Sequence, residues 1–125
     1  MTQIIRIQFA LSIIALGIIP SPMLAQNVHV GNTYCYKGQG RFDWELSLRD
    51  DPTTLKKIGY VTYTLDPSFP DPVRAVCDNA ANGFALKSSG WGEFSVYIKV
   101  EWRNKRTTYQ SYRLDLHSAQ AGKCR

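Results

Sequence analysis

Hydrophobic and polar residues alternate with a period of two through much of the chain. Phe42, Trp44, Leu46 and Leu48 are interleaved with Asp43, Glu45, Ser47 and Arg49. Successive side chains of a strand point to opposite faces, so this stretch predicts a half-buried strand, ended by Asp50-Asp51-Pro52. A second strand is expected over residues 57–65, with Val61, Tyr63 and Leu65 on one face. Gly59 offsets Ile58 from that register and marks a bulge. Asp66-Pro67-Ser68-Phe69-Pro70-Asp71-Pro72 follows; prolines this dense lack the N–H groups of a strand or helix, so a stiff exposed loop is expected. Residues 73–77 and 84–87 read as short strands around a turn at 78–83, and residues 88–92 as a second tight loop. Phe94, Val96, Ile98, Val100 and Trp102 then give the clearest alternation in the chain. Residues 103–106 form a hairpin-like turn, and Tyr112, Leu114 and Leu116 alternate along a last strand. Residues 26–32 read as a polar lead-in. Short strands at this even spacing predict an all-β fold, an immunoglobulin-like β-sandwich of about seven or eight antiparallel strands.

The first 25 residues have a different pattern. Arg6 supplies a positive flank, residues 9–19 are apolar apart from Ser12 and Gly17, and Pro20 and Pro22 precede the small Ala25. This is the layout of a signal peptide, and the run is shorter than the about 20 apolar residues of a membrane span. The expected organisation is therefore a signal peptide over 1–25 and one domain over 26–125, exported to the periplasm or secreted. Export bears on the cysteines. Cys35, Cys77 and Cys124 allow three pairings in an oxidising compartment. Cys35–Cys124 is preferred, because it staples the first and last segments of the domain, leaving Cys77 odd.

The formal net charge is +5, and the basic residues are dispersed except at Lys56-Lys57 and Arg103-Asn104-Lys105-Arg106. Neither group makes a long basic stripe, so each reads as a solvated turn and no nucleic-acid partner is expected. The chain has no G-x-S-x-G, H-E-x-x-H, P-loop or C-x-x-C pattern, and His29 and His117 lie at opposite ends of the domain. The expectation is a non-catalytic module with no cofactor and no metal.

Two loops remain, each presenting an aromatic ring on a stiffened backbone: Leu65-Asp66-Pro67-Ser68-Phe69-Pro70-Asp71-Pro72 and Ser89-Gly90-Trp91-Gly92-Glu93-Phe94. Singly, Phe69 and Trp91 read as caps on the end of the core. In this order, after Phe42-Asp43-Trp44 and before Tyr112-Arg113-Leu114-Asp115-Leu116, they resemble the signature of the YEATS domain family across roughly residues 35–117. The resemblance implies a reader of acylated lysine, whose flat acyl-amide slides between two rings at one end of the sandwich. Those rings would be Phe69 and Trp91. Ser68 would offer its hydroxyl, the Trp91 N–H would meet the acyl carbonyl, Gly90 and Gly92 would permit close approach, and Phe94 would support the floor. Asp66 stands where the family has histidine, and an ionised aspartate can only accept a hydrogen bond. The implied partner is a peptide or protein, acylated if the family's ligand is kept, with the membrane met only through the export signal. The alternative is a structural or protein-interaction domain in which the loop aromatics plug the core.

Overall fold

The expected alternation of Phe42, Trp44, Leu46 and Leu48 is realised in a strand that buries all four and leaves the residues between them half-buried. In the computed structural model, residues 27–77, 79–117 and 122–124 are described; the expected signal over 1–25 lies outside them. The strands are β1 (Val30–Gly38), β2 (Arg41–Leu48), β3 (Ile58–Thr64), β4 (Val73–Cys77), β5 (Leu86–Gly90), β6 (Ser95–Trp102) and β7 (Thr107–Arg113). They form two antiparallel sheets, one ordered β1-β2-β5 and the other β4-β3-β6-β7. Seven strands in two layers is the sandwich that the spacing predicts.

The core lies between the inward faces. Trp44 and Leu46 come from the smaller sheet, and Val61, Tyr63, Ile98 and Val100 from the larger one. Burying the Tyr63 phenol without a partner would be unfavourable, and its hydroxyl donates to the Phe84 carbonyl at 2.8 Å. Burial also pushes its ionisation well above the ordinary tyrosine range. Gly59 behaves as expected: the β3–β6 register shifts between Ile58 and Tyr60, and a Cβ at Gly59 would stand 3.1 Å from the Glu101 carbonyl oxygen.

Four expectations are corrected. The end of the polar lead-in, residues 30–32, is instead the start of β1, whose residues are mostly half-buried because this edge strand carries the last segment of the chain. Asn32 Oδ1 accepts from the Tyr112 hydroxyl and the Asp115 N–H, and Tyr34 donates to the His117 carbonyl at 2.8 Å. The turn before β5 runs longer than residues 78–83. It includes a 3-10 turn, Ala80–Asn82, and Phe84 at φ 53, which is 1% exposed and drops its ring into the core. β5 therefore spans Leu86–Gly90, so Ser88, Ser89 and Gly90 belong to a strand rather than to a loop. The last strand ends at Arg113, and Leu114 and Leu116 are buried beyond it. The Asp51-Pro52 break is itself structured: the Asp51 carboxylate caps a one-turn helix, α1 (Pro52–Leu55), by accepting from the Thr54 N–H at 2.8 Å.

Cys35 and Cys124 are bonded, with an S–S distance of 2.01 Å, and Cys77 is free and exposed on β4. Beside the bond, Tyr36 and the terminal segment exchange hydrogen bonds, Tyr36 N–H to the Gly122 carbonyl and Cys124 N–H to the Tyr36 carbonyl. Together they cover the free edge of β1.

Candidate binding cleft

The β3–β4 and β5–β6 connections meet at one end of the sandwich and enclose a cleft of about 550 Å³. All seven residues singled out from the two loops (Asp66, Ser68, Phe69, Gly90, Trp91, Gly92 and Phe94) line it.

The proline-rich loop is held in shape by its own polar groups. The Leu65 N–H donates to the Pro72 carbonyl at 2.8 Å, closing the loop, and the Phe69 N–H donates to the Asp66 carbonyl at 3.0 Å. The Asp66 carboxylate accepts twice on one oxygen, from the Ser68 N–H at 3.0 Å and from the Ser68 hydroxyl at 2.6 Å. These bonds, the hydroxyl's first, hold the Asp66 carboxyl below its ordinary value. The Ser68 proton is thus committed to Asp66, and the oxygen keeps its lone pairs as an acceptor. Arg74 braces the far side, donating to the Asp71 carbonyl and, at 2.9 Å, to the Pro70 carbonyl.

The two rings differ in environment. Phe69 is half-buried and packs with Phe94 at 5.1 Å between centroids and with Trp44 at 6.1 Å, while Trp44 and Phe94 meet at 6.0 Å. These three rings make the cleft floor continuous with the core. Gly90 permits it, since a Cβ there would stand 3.3 Å from Phe69 Cζ. Trp91 is 71% exposed and carries the Arg41 guanidinium 5.0 Å from its ring centroid. Trp91 therefore does not plug the core, contrary to the alternative reading of both loop aromatics; of the two, Phe69 fits that description.

On the rim, Glu93 accepts from the Leu116 N–H at 2.7 Å, and this bond chiefly holds its carboxyl below the ordinary value. His117 Nδ1 lies 3.1 Å from Glu93 and 2.9 Å from Asp115, so these groups are satisfied by one another. Arg41, Pro70, Arg74, Ser88, Ser89 and Glu93 also line the cleft; of these, Pro70, Ser89 and Glu93 stood in the two loop motifs without a role, and Arg41 and Ser88 were not foreseen. Arg41 carried no local signal: it opens β2, and only the fold sets it beside Trp91.

A family model of the prokaryotic YEATS domain matches residues 42–115, which include both loops. The protein AF-9 homolog of Saccharomyces cerevisiae is 38% identical over 63 residues, which are 48% of this chain and 26% of the yeast protein. The chain thus spans only about a quarter of that relative's length. The Yaf9 YEATS domain recognizing an H3K122suc peptide is similar in structure, with a TM-score of 0.61 and 28% identity over 70% of each chain. The crystal structure of yeast AF-9 homolog protein Yaf9 gives a TM-score of 0.62 at 28% identity, covering 72% of this chain and 66% of the other. With the family model spanning more than half of its residues and both signature loops on one cleft, the chain belongs to the prokaryotic YEATS domain family.

Proposed function

We propose that the Trp91 cleft binds an acylated lysine side chain of a peptide or protein partner, without catalysis, in an exported protein. The observation that carries this reading is the Asp66–Ser68 pair, which presents a hydroxyl oxygen stripped of its donor role in a cleft that an exposed indole and a half-buried phenyl ring also line. A secondary amide supplies the complementary set: an N–H for Ser68 Oγ, a carbonyl for the Trp91 backbone N–H, and a flat face for the Trp91 ring. Asp66 in place of histidine does not abolish this role, because it orients the serine from the acceptor side. An unmodified lysine has no planar group to stack and no carbonyl for the Trp91 N–H.

Stacking contributes about 0.5–1.5 kcal/mol per ring and each neutral hydrogen bond about 1 kcal/mol. The ordering costs of association offset much of this, so affinities fall at roughly tens of micromolar to millimolar. Arg41 adds selectivity. Its guanidinium beside Trp91 favours acyl groups that end in a carboxylate, in keeping with the H3K122suc peptide bound by the Yaf9 YEATS domain. The Cys35–Cys124 bond supports the export reading, since such bonds persist in oxidising compartments.

Calorimetric titration with acetyl-, succinyl- and unmodified-lysine peptides tests the proposal. Binding of the acylated peptides, tighter for succinyl and levelled by Arg41→Gln, is expected. Equal binding of unmodified lysine would overturn it.

A further inference from the structure

The two dense cationic groups of the sequence, 56–57 and 103–106, lie far apart in the chain, yet the fold joins them. The Arg103 N–H donates to the Lys57 carbonyl at 2.8 Å, and Arg103 Nε donates to the Lys56 carbonyl at 3.0 Å. They meet at the start of β3 and the end of β6, the end of the sandwich opposite the Trp91 cleft. A cavity of about 400 Å³ opens there, lined by Lys56, Lys57, Trp102, Arg103, Asn104 and Arg106.

We propose that this cavity is a second binding site, which takes a phosphate ester carried on an organic group. Four of its six lining residues are cations and none is a carboxylate. Among the described residues, none of the four is in a salt bridge. The Asp51 carboxylate at the start of α1 is engaged in capping that helix, accepting from the Thr54 N–H, and forms no salt bridge with Lys57. With Nε fixed on the Lys56 carbonyl, the Arg103 terminal amino groups make no hydrogen bond or salt bridge among the described residues, which leaves them to the two-pronged pairing that phosphate oxygens accept.

The turn is also held in place. The Trp102 N–H donates to the Arg106 carbonyl at 2.9 Å, the Lys105 N–H to the Trp102 carbonyl at 3.0 Å, and the Arg106 N–H to Asn104 Oδ1 at 3.0 Å. The Trp102 indole is fixed by donation to Thr108 Oγ1 at 2.9 Å, so its ring forms a settled apolar wall. A cavity of this size exceeds bare phosphate, and the indole gives the ligand's organic part a surface to lie on. The cations are gathered at one tip instead of along a stripe, which suits a single phosphate group better than a polynucleotide backbone.

The test follows the Trp102 indole N–H by NMR in the full chain, at matched ionic strength, with phenyl phosphate as the probe. A saturable shift, weakened about tenfold or more by Arg103→Gln and by Lys57→Gln but unchanged by Trp91→Phe, is expected. Sedimentation with phosphatidylglycerol vesicles separates the sources of the phosphate. Vesicle binding lost in the same variants identifies a lipid headgroup, and phenyl phosphate binding without vesicle binding identifies a soluble phosphate ester. A response that merely follows ionic strength, or one that persists in both variants, would overturn the proposal. So would tight binding of a DNA duplex with none of phenyl phosphate.

Discussion

The Ser68 hydroxyl donates to the Asp66 carboxylate across 2.6 Å, which makes the serine an acceptor towards anything in the cleft. Asp66→Ala releases the hydroxyl to rotate and is expected to weaken acyl-lysine peptides about fivefold, the value of one ordinary hydrogen bond. Asp66→His should retain most of the affinity, since its ring can also position Ser68. Calorimetry on the three proteins checks this, and an unchanged affinity in Asp66→Ala would remove the serine from the account.

The rings of the cleft should separate stability from binding. Trp44 is 3% exposed and packs on Phe69 and Phe94, so Trp44→Ala is expected to cost about 3–5 kcal/mol in denaturant unfolding. Trp44→Phe should cost much less, because the buried indole N–H has no hydrogen-bond partner to lose among the described residues. Trp91→Ala, at a position 71% exposed, should cost under about 1 kcal/mol, including its contact with Arg41. A large loss of stability in Trp91→Ala would revive the role of this ring as a core plug.

Acid should act through two carboxyls. Asp66 is held below its ordinary value of 3.8, first by the Ser68 hydroxyl, and Glu93 below 4.5, first by the Leu116 N–H. A pKa lowered on folding contributes stability that is present above the unfolded value and is lost as pH falls through the folded one. Cleft order and acyl-peptide affinity should therefore hold from pH 7 to about pH 5 and decline below about pH 4. Affinity measured across that range checks the sign. A loss already complete by pH 5 would contradict the assignment to these two carboxyls.

The Cys35–Cys124 bond closes a sequence separation of 89 residues. Replacing both cysteines by serine is expected to cost about 2–5 kcal/mol, read as a lower Tm. Cys77→Ser should leave Tm unchanged, because that thiol is exposed and unbonded.

Alternation made β2, β3 and β6 legible, because each has one face on the core and the other towards solvent. β1 escaped because Val30 to Tyr36 shows no clean alternation, and Asn32 and Tyr34 take their place in the strand with partners, Asp115 and His117, that lie far along the chain. The displacement of β5 has the same origin: Phe84 enters the core from a left-handed turn, which no hydrophobic period reports. Within the cleft, Phe69 and Trp91 were named from two loop motifs, whereas Arg41 reaches Trp91 only through the pairing of Phe42 with Gly90 across β2 and β5. Likewise Lys56-Lys57 and Arg103 each read as solvated turns, and it is the hydrogen bonds from Arg103 to the Lys56 and Lys57 carbonyls that make them one surface.

The proposed acyl-lysine binding turns on Trp91 stacking against an acyl-amide held by Ser68. Intrinsic tryptophan fluorescence of the wild type and Trp91→Phe, titrated with acetyl-, crotonyl- and unmodified-lysine peptides, tests it most directly. A saturable change is expected for the two acylated peptides in the wild type, with its loss in Trp91→Phe and no change with unmodified lysine. A wild type silent to every acylated peptide, or one that responds equally to unmodified lysine, would contradict it.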